Sequence, residues 1–159
     1  MNISIIEKDI TEIELIKPLW EKLNSIHIDK SVYFKSKYES FTFDKRTESI
    51  YKKAQKGIIK IDVLLVNDKR DVVGYCLSSI EDNLGEVESI FIEKEYRKFG
   101  LGDKLMNNAL QWFKSNGTKN IEINVVYAND EALPFYEKHG FHIGNYILKT
   151  DHNVVTERK

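Results

Sequence analysis

The stretch from Glu86 to Val126 constrains this chain more than any other, because its hydrophobic period changes along it. Glu86 to Ile92 alternates like a strand opened by Gly85, and the turn Arg97-Lys98-Phe99-Gly100-Leu101-Gly102 follows. Leu101, Leu105, Met106, Ala109, Leu110 and Phe113 then recur at helical spacing, and Asn116-Gly117 supplies a stop. Ile121, Ile123 and Val125 mark a further strand. Strand, tight turn, helix and strand make a crossover that joins two parallel strands, right-handed almost without exception.

The rest of the chain builds around that unit. Ile3, Ile5 and Ile6 begin a short strand, and Thr11 to Ile28 carries an apolar helical face that Pro18 should kink or shorten. Ser31 to Gln55 is polar and helix-prone, holds the aromatic cluster Tyr33, Phe34, Tyr38, Phe41, Phe43 and Tyr51, and ends at Gly57. Ile58 to Val66 and Val72 to Ile80 predict an antiparallel hairpin turning at Asn67-Asp68-Lys69. A short helix is expected from Asp130 to His139, stopped by Gly140 and kept irregular by Pro134. One or two closing strands are expected between Phe141 and Leu148, and residues 151–159 read as a loose polar tail. The class is α/β: a mixed, mostly antiparallel sheet with a central parallel strand pair, flanked by helices. With no linker, repeat or low-complexity segment, residues 1–159 are expected to form a single domain.

Charge and composition exclude several functions. Net charge is −1 and basic and acidic residues alternate, so a dominant nucleic-acid surface is not expected. No apolar run approaches the roughly 20 residues of a membrane span, and acids within Met1 to Asp9 argue for a strand and against a secretion signal. The single cysteine, Cys76, permits no internal disulfide, which suits a reducing compartment such as the cytoplasm, and its apolar surroundings mark a core thiol. His27, His139, His142 and His152 have no metal-ligand spacing, so no metal is expected.

The glycine turn admits two readings. Glycines let backbone N–H groups close on an anion, and the helix that follows aims its unbonded N–H groups and positive dipole end at the same place, with Arg97 and Lys98 at the rim. Equally, a Gly-x-Gly at a strand-to-helix turn can serve close packing alone. The dinucleotide fingerprint is incomplete, since Leu105 stands where its third glycine would be, and no Gly-Lys-Ser/Thr of a P-loop follows.

Two longer segments decide between these readings. Glu88-Ser-Ile-Phe-Ile-Glu-Lys-Glu-Tyr-Arg-Lys-Phe-Gly-Leu-Gly102 resembles the coenzyme A motif of the GCN5-related N-acetyltransferase superfamily. Asn129-Asp-Glu-Ala132-Leu-Pro-Phe135-Tyr136-Glu-Lys-His-Gly140-Phe141 is similar to a second segment of the same family, in the expected order. The match covers about Val72 to Phe141; residues before Gly57 fit only by element order.

The resemblance implies a GNAT-like fold and acetyl-CoA as co-substrate. Its diphosphate would meet Arg97, Lys98, Phe99, Gly100, Leu101 and Gly102, while its pantetheine arm would pair with the backbone of Ile90, Phe91 and Ile92 as an added strand. The same backbone could polarise the thioester oxygen. An alkyl amine, with a pKa of about 10.4, must lose a proton before it attacks. By period-two counting Glu86 and Glu88 share a face with Ile90 and Ile92. Glu86 is the first candidate base by its distance before the turn, and Glu88 the second. A bulge, common in the family, would change which one faces the site. Tyr136 is implied as a coenzyme contact and as the acid for the departing thiolate, since a phenol near 10 can protonate a thiolate of pKa about 8.5. Asn129 would cap the short helix, contact the coenzyme, or both.

The acceptor is less legible. Asp29, Tyr33 and Phe34 could form an apolar wall with a carboxylate for an amine, or the aromatics could simply pack helices. Glu81 and Asp82 either add negative charge or form a solvated turn. The expected activity is acetyl transfer to the amine of a small molecule or a protein. Transfer of another acyl group and a non-catalytic acyl-CoA-binding regulator are the alternatives. Homodimers are common among relatives, and nothing in this sequence decides for or against one.

Overall fold

A computed structural model of the chain describes residues 2–67 and 71–151. It divides into two compact units, Met1–Leu23 with Thr42–Asn124, and Asn24–Phe41 with Val125–Lys159.

The first unit is built on a five-stranded sheet of order β1-β2-β3-β4-β5. β1 (Ile3–Lys8), β2 (Ile58–Val66), β3 (Val72–Glu81) and β4 (Leu84–Ile92) pair antiparallel in turn, and β5 (Asn120–Ile123) lies parallel to β4. β2 and β3 are rich in β-branched and aromatic residues, and consecutive positions along them, Val63, Leu64, Tyr75, Cys76 and Leu77, are all buried. Burial of adjacent residues means that both faces of the sheet are covered. On one face lies α4 (Leu101–Ser115), which buries Leu101, Leu105, Met106, Ala109 and Phe113 of the stripe expected from the sequence, with Leu110 half-buried at its margin. On the other lies α3 (Phe43–Lys56), capped by Thr42, whose hydroxyl accepts from Lys45 N–H at 3.3 Å. The two faces are distinguished at neighbouring residues of β4. A Cβ on Gly85 would stand 2.7 Å from the Phe113 ring of α4, while Glu86 bonds Lys53 of α3.

The expected long first helix is in two parts. A 3-10 turn, Ile10–Ile16, opens on Asp9, whose carboxylate accepts from Thr11 N–H at 2.9 Å, and α1 (Lys17–Lys30) follows. Pro18 lies in the first turn of α1, where its missing N–H costs no helical bond. Ile13, Ile16, Leu19 and Trp20 supply the buried face, and Trp20 meets Phe43 edge-on at 5.5 Å. Burial pushes the Cys76 thiol up to about 12, as befits a core thiol. The turn expected after Val66 begins at Asn67, with φ 56°, and its remainder lies outside the described residues, as do residues 152–159 of the expected tail.

The second unit holds the end of α1, α2 (Lys35–Ser40), a 3-10 turn Asp130–Ala132 and α5 (Leu133–Lys138). Asn24 donates through its amide to the Tyr38 carbonyl at 3.0 Å, the His27 and Tyr38 rings meet at 6.1 Å with their planes inclined by 56°, and Lys30 pairs with Glu131 at 3.0 Å. Pro134 sits at the start of α5, which is short as expected, and Gly140, at φ 90°, follows it. The closing strands expected between Phe141 and Leu148 are not formed. No strand is found at residues 141–150, and Ile143, Tyr146, Ile147 and Leu148 are all exposed. Apolar alternation makes a strand only where a neighbouring edge accepts its hydrogen bonds, and among the described strands the sheet ends at β5.

Candidate active site

The glycine turn is shaped as an anion cradle. A 3-10 turn, Lys94–Tyr96, leads from β4 into it; Lys98 and Gly100 take left-handed φ values of 71° and 73°; and α4 begins at Leu101. No side chain caps α4, whose first bond runs from Lys104 N–H to the Gly100 carbonyl at 3.2 Å. The N–H groups of the first turn therefore have no intrahelical acceptor. A Cβ on Gly100 would meet nothing within 4 Å, so the space over this turn is open. Leu101 is buried, leaving only its N–H to the cradle, and Phe99 is exposed. Arg97 is folded back: its Nε donates to the Ile92 carbonyl at 2.8 Å, and its guanidinium lies 5.1 Å over the Phe91 ring.

An open strand edge leads toward that cradle. β5 pairs with β4 only from Leu84 to Val87, and Ser89 to Ile92 pair within the sheet with β3 alone. Glu93 N–H donates to the Val73 carbonyl at 2.9 Å. Backbone groups alternate in direction along a strand, so Ile90 and Ile92 turn their N–H groups to the open edge, and Arg97 already occupies the Ile92 carbonyl.

β4 carries the bulge on which the choice between Glu86 and Glu88 depends. Ser89 lies opposite Leu77 and Val87 opposite Ser78, which leaves Glu88 as the extra residue. Glu86 and Glu88 both face α3, but beyond the bulge the period is displaced by one. Ile90 and Ile92 lie opposite Cys76 and Gly74 and so share the other face, contrary to simple alternation from Glu86.

The two carboxylates differ in surroundings. Glu88 has a side chain 1% exposed and accepts from Arg46 Nη2 at 3.1 Å, from Lys53 Nζ and from Ser79 Oγ. Glu86 is 17% exposed and accepts from Lys53 Nζ at 3.1 Å and Asn124 Nδ2 at 3.3 Å. Burial opposes the charge on Lys53, but hydrogen bonds and attraction from Glu88 and Glu86 outweigh it, so its pKa is raised and it stays protonated. A cleft of about 330 Å³ opens beside the pair, lined by Lys53, Ser79, Glu81, Asp82, Leu84 and Glu86.

Sequence reasoning missed Arg46 and Lys53. Their signal was positional: at i+3 and i+10 from Phe43 they adjoin the stripe of Phe43 and Ile50 that α3 buries, where a cation needs a partner.

The remaining predicted residues belong to the second unit. Tyr136 is half-buried, its ring 5.5 Å from Phe135 and 6.4 Å from Phe141. Asn129 precedes the Asp130–Ala132 turn but makes no side-chain cap; its N–H donates to the Val126 carbonyl at 2.8 Å. Asp29 and Tyr33 are exposed. Phe34 takes a left-handed φ of 63°, and its N–H donates to the Asp151 carboxylate at 2.8 Å. Among the described residues no three His, Cys, Asp or Glu side chains gather as a metal site, and no helix is long and apolar enough to cross a membrane.

Known proteins share both sequence and fold with this chain. It is 38% identical over 58 residues to streptothricin acetyltransferase A of Bacillus subtilis, covering 36% of this chain and 34% of that protein. It is 33% identical over 81 residues to mycothiol acetyltransferase of Corynebacterium efficiens, covering 50% and 27%. These matches span about a third of the relatives' own length. In fold it is similar to the PaiA N-acetyltransferase of Thermoplasma acidophilum, solved with coenzyme A, at a TM-score of 0.70 and 19% identity over 92% of this chain and 94% of that one. A GCN5-related N-acetyltransferase of Ralstonia eutropha gives 0.74 at 14% identity, over 94% and 98%. At such identities the likeness is one of fold. The acetyltransferase (GNAT) family profile matches residues 20–141, a span that includes α4, the cradle, β4 with its open edge and the Asn129 to Phe141 segment, and the chain belongs to that family.

Proposed function

We propose that the protein transfers an acetyl group from acetyl-CoA to a primary amine by direct attack of the amine on the thioester. The observation that carries this reading is the open edge of β4 running toward an uncapped helix N-terminus, one able to pair with an extended amide-bearing arm and the other with a diphosphate. The residues present fit that donor: Gly100 leaves the cradle open, and the N–H groups of Ile90 and Ile92 face the unpaired edge. Acetyl-CoA brings an acyl carbon activated by a thiolate leaving group.

Glu86 is the base in this reading. It keeps part of its carboxylate exposed and spare acceptor capacity, whereas the Glu88 carboxylate is buried and holds three donors. The Ile90 N–H is placed to polarise a carbonyl lying along the edge. Tyr136 supplies the proton to the leaving thiolate, supported by its place in the Asn129 to Phe141 segment. The acidic residues beside Glu86, Glu81 and Asp82, favour a cationic acceptor, a small-molecule or protein amine.

The test is coenzyme release by the purified protein with acetyl-CoA and a panel of polyamines, amino acids, aminoglycosides and peptide amines. Turnover on at least one amine supports the reading. Acetyl-CoA binding without turnover on any of them supports a regulator that senses acyl-CoA, and faster release from a longer acyl donor supports a different acyl group.

A further inference from the structure

We infer that Arg46 is a positioning residue for acyl transfer, acting through the β4 bulge; the inference rests on the reading of β4 as the donor-binding strand. The bulge decides which amides face the open edge. Before it Val87 opposes Ser78, and after it Ser89 opposes Leu77. Without the extra residue, the segment beyond would shift by one against β3, and every backbone group would reverse direction. Ser89 and Phe91 would then face the open edge, and Ile90 and Ile92 would face β3.

A bulge also leaves its extra residue outside the ladder, and a buried carbonyl without a donor is costly. Arg46 meets that need. Its Nη2 donates to the Glu88 main-chain carbonyl at 2.9 Å and to the Glu88 carboxylate at 3.1 Å, tying backbone and side chain of one residue to α3. Lys53 and Ser79 hold the other carboxylate oxygen, so that α3 and β3 together fix Glu88. Arg46 acts through Glu88 and needs no contact with either substrate.

The test compares Arg46→Met and Arg46→Lys with the wild type in steady-state kinetics and amide hydrogen exchange. Misplacing the edge amides should lower kcat for acetyl transfer about 10- to 100-fold in Arg46→Met. KM for acetyl-CoA should rise by less than kcat falls, since the glycine turn is untouched, and Arg46→Lys, which keeps a donor, should recover part of the loss. Exchange at Ser89 and Phe91, whose N–H groups face β3, should quicken while the amides of α4 remain as in the wild type. An unchanged kcat in folded Arg46→Met, a KM that rises as far as kcat falls, or unchanged exchange along β4 would each overturn the inference. Should Arg46→Met not fold, Arg46→Lys and Glu88→Gln carry the same two measurements. If the wild type acetylates no amine, the transfer reading fails on that result, and exchange alone still decides the clamp.

Discussion

Glu86 and Glu88 share a single ammonium group, that of Lys53, yet only Glu86 retains exposure to solvent. Their roles should separate on substitution. Glu88→Ala leaves Arg46 and Lys53 without a buried counter-charge and should cost about 3 kcal/mol of stability. Glu86→Ala removes a partly exposed partner and should cost less than about 1 kcal/mol, while lowering acetyl transfer about 100-fold as the loss of a general base. Denaturant titration and initial rates on both variants check the pair of expectations; a stable Glu88→Ala together with an active Glu86→Ala contradicts the assignment.

Gly100 separates binding from folding. Its φ of 73° is unfavourable for a β-branched residue, at about 1–3 kcal/mol, but no atom stands in the way of a side chain. Gly100→Val should therefore fold with a lowered melting temperature and lose measurable coenzyme A binding by calorimetry. Gly117→Val, at φ 69° and equally open, should show comparable thermal loss with normal binding. Retained binding in Gly100→Val would remove the cradle assignment.

Tyr136→Phe keeps the ring and its packing on Phe135 and Phe141 while removing the hydroxyl. The expected result is a turnover about 10²- to 10⁴-fold lower, with acetyl-CoA affinity unchanged. A wild-type rate would assign the proton to another group or to water.

His27 links stability to pH. Burial foremost, and then the charge of Lys30, lower its pKa below 6.5 in the folded protein. The folded state thus binds fewer protons than the unfolded chain, so the stabilising contribution is fully present above pH 6.5. It is lost as pH falls through that value toward the depressed folded pKa. Melting temperatures at pH 7.5 and 5.5 should fall more in the wild type than in His27→Gln, and equal falls would refute the linkage.

The sheet and α4 were legible because burial imposes pattern on sequence: β2 and β3 contain the apolar stretches Val63 to Val66 and Val72 to Leu77, and α4 repeats its buried residues along one stripe. The bulge was not, since counting by two cannot register an inserted residue, and it moved Ile90 and Ile92 to the face opposite Glu86. Arg46 and Lys53 looked like ordinary surface charges of a polar helix until Glu88 was found beneath them. The residues after Gly140 are apolar enough to suggest a strand, but a strand depends on a partner, which composition does not encode. For the site, the motif pointed to the glycine turn, over which the structure leaves open space, while an acceptor site would depend on long-range packing that no local pattern records.

Gly85 gives α4 a seat. The missing side chain lets the Phe113 ring sit against the sheet, and from Phe113 back to Leu101 the helix runs about 18 Å at 1.5 Å per residue. Leu101, Leu105, Met106 and Ala109 are buried along the same stripe, so the helix bears on the sheet as one body. A single methyl added at Gly85 would meet the Phe113 ring and strain that packing, and the strain would be shared along the stripe up to Leu101. Under the proposed function, affinity for the donor would then respond to a change at the opposite end of the helix, at a residue whose sequence context speaks of packing alone.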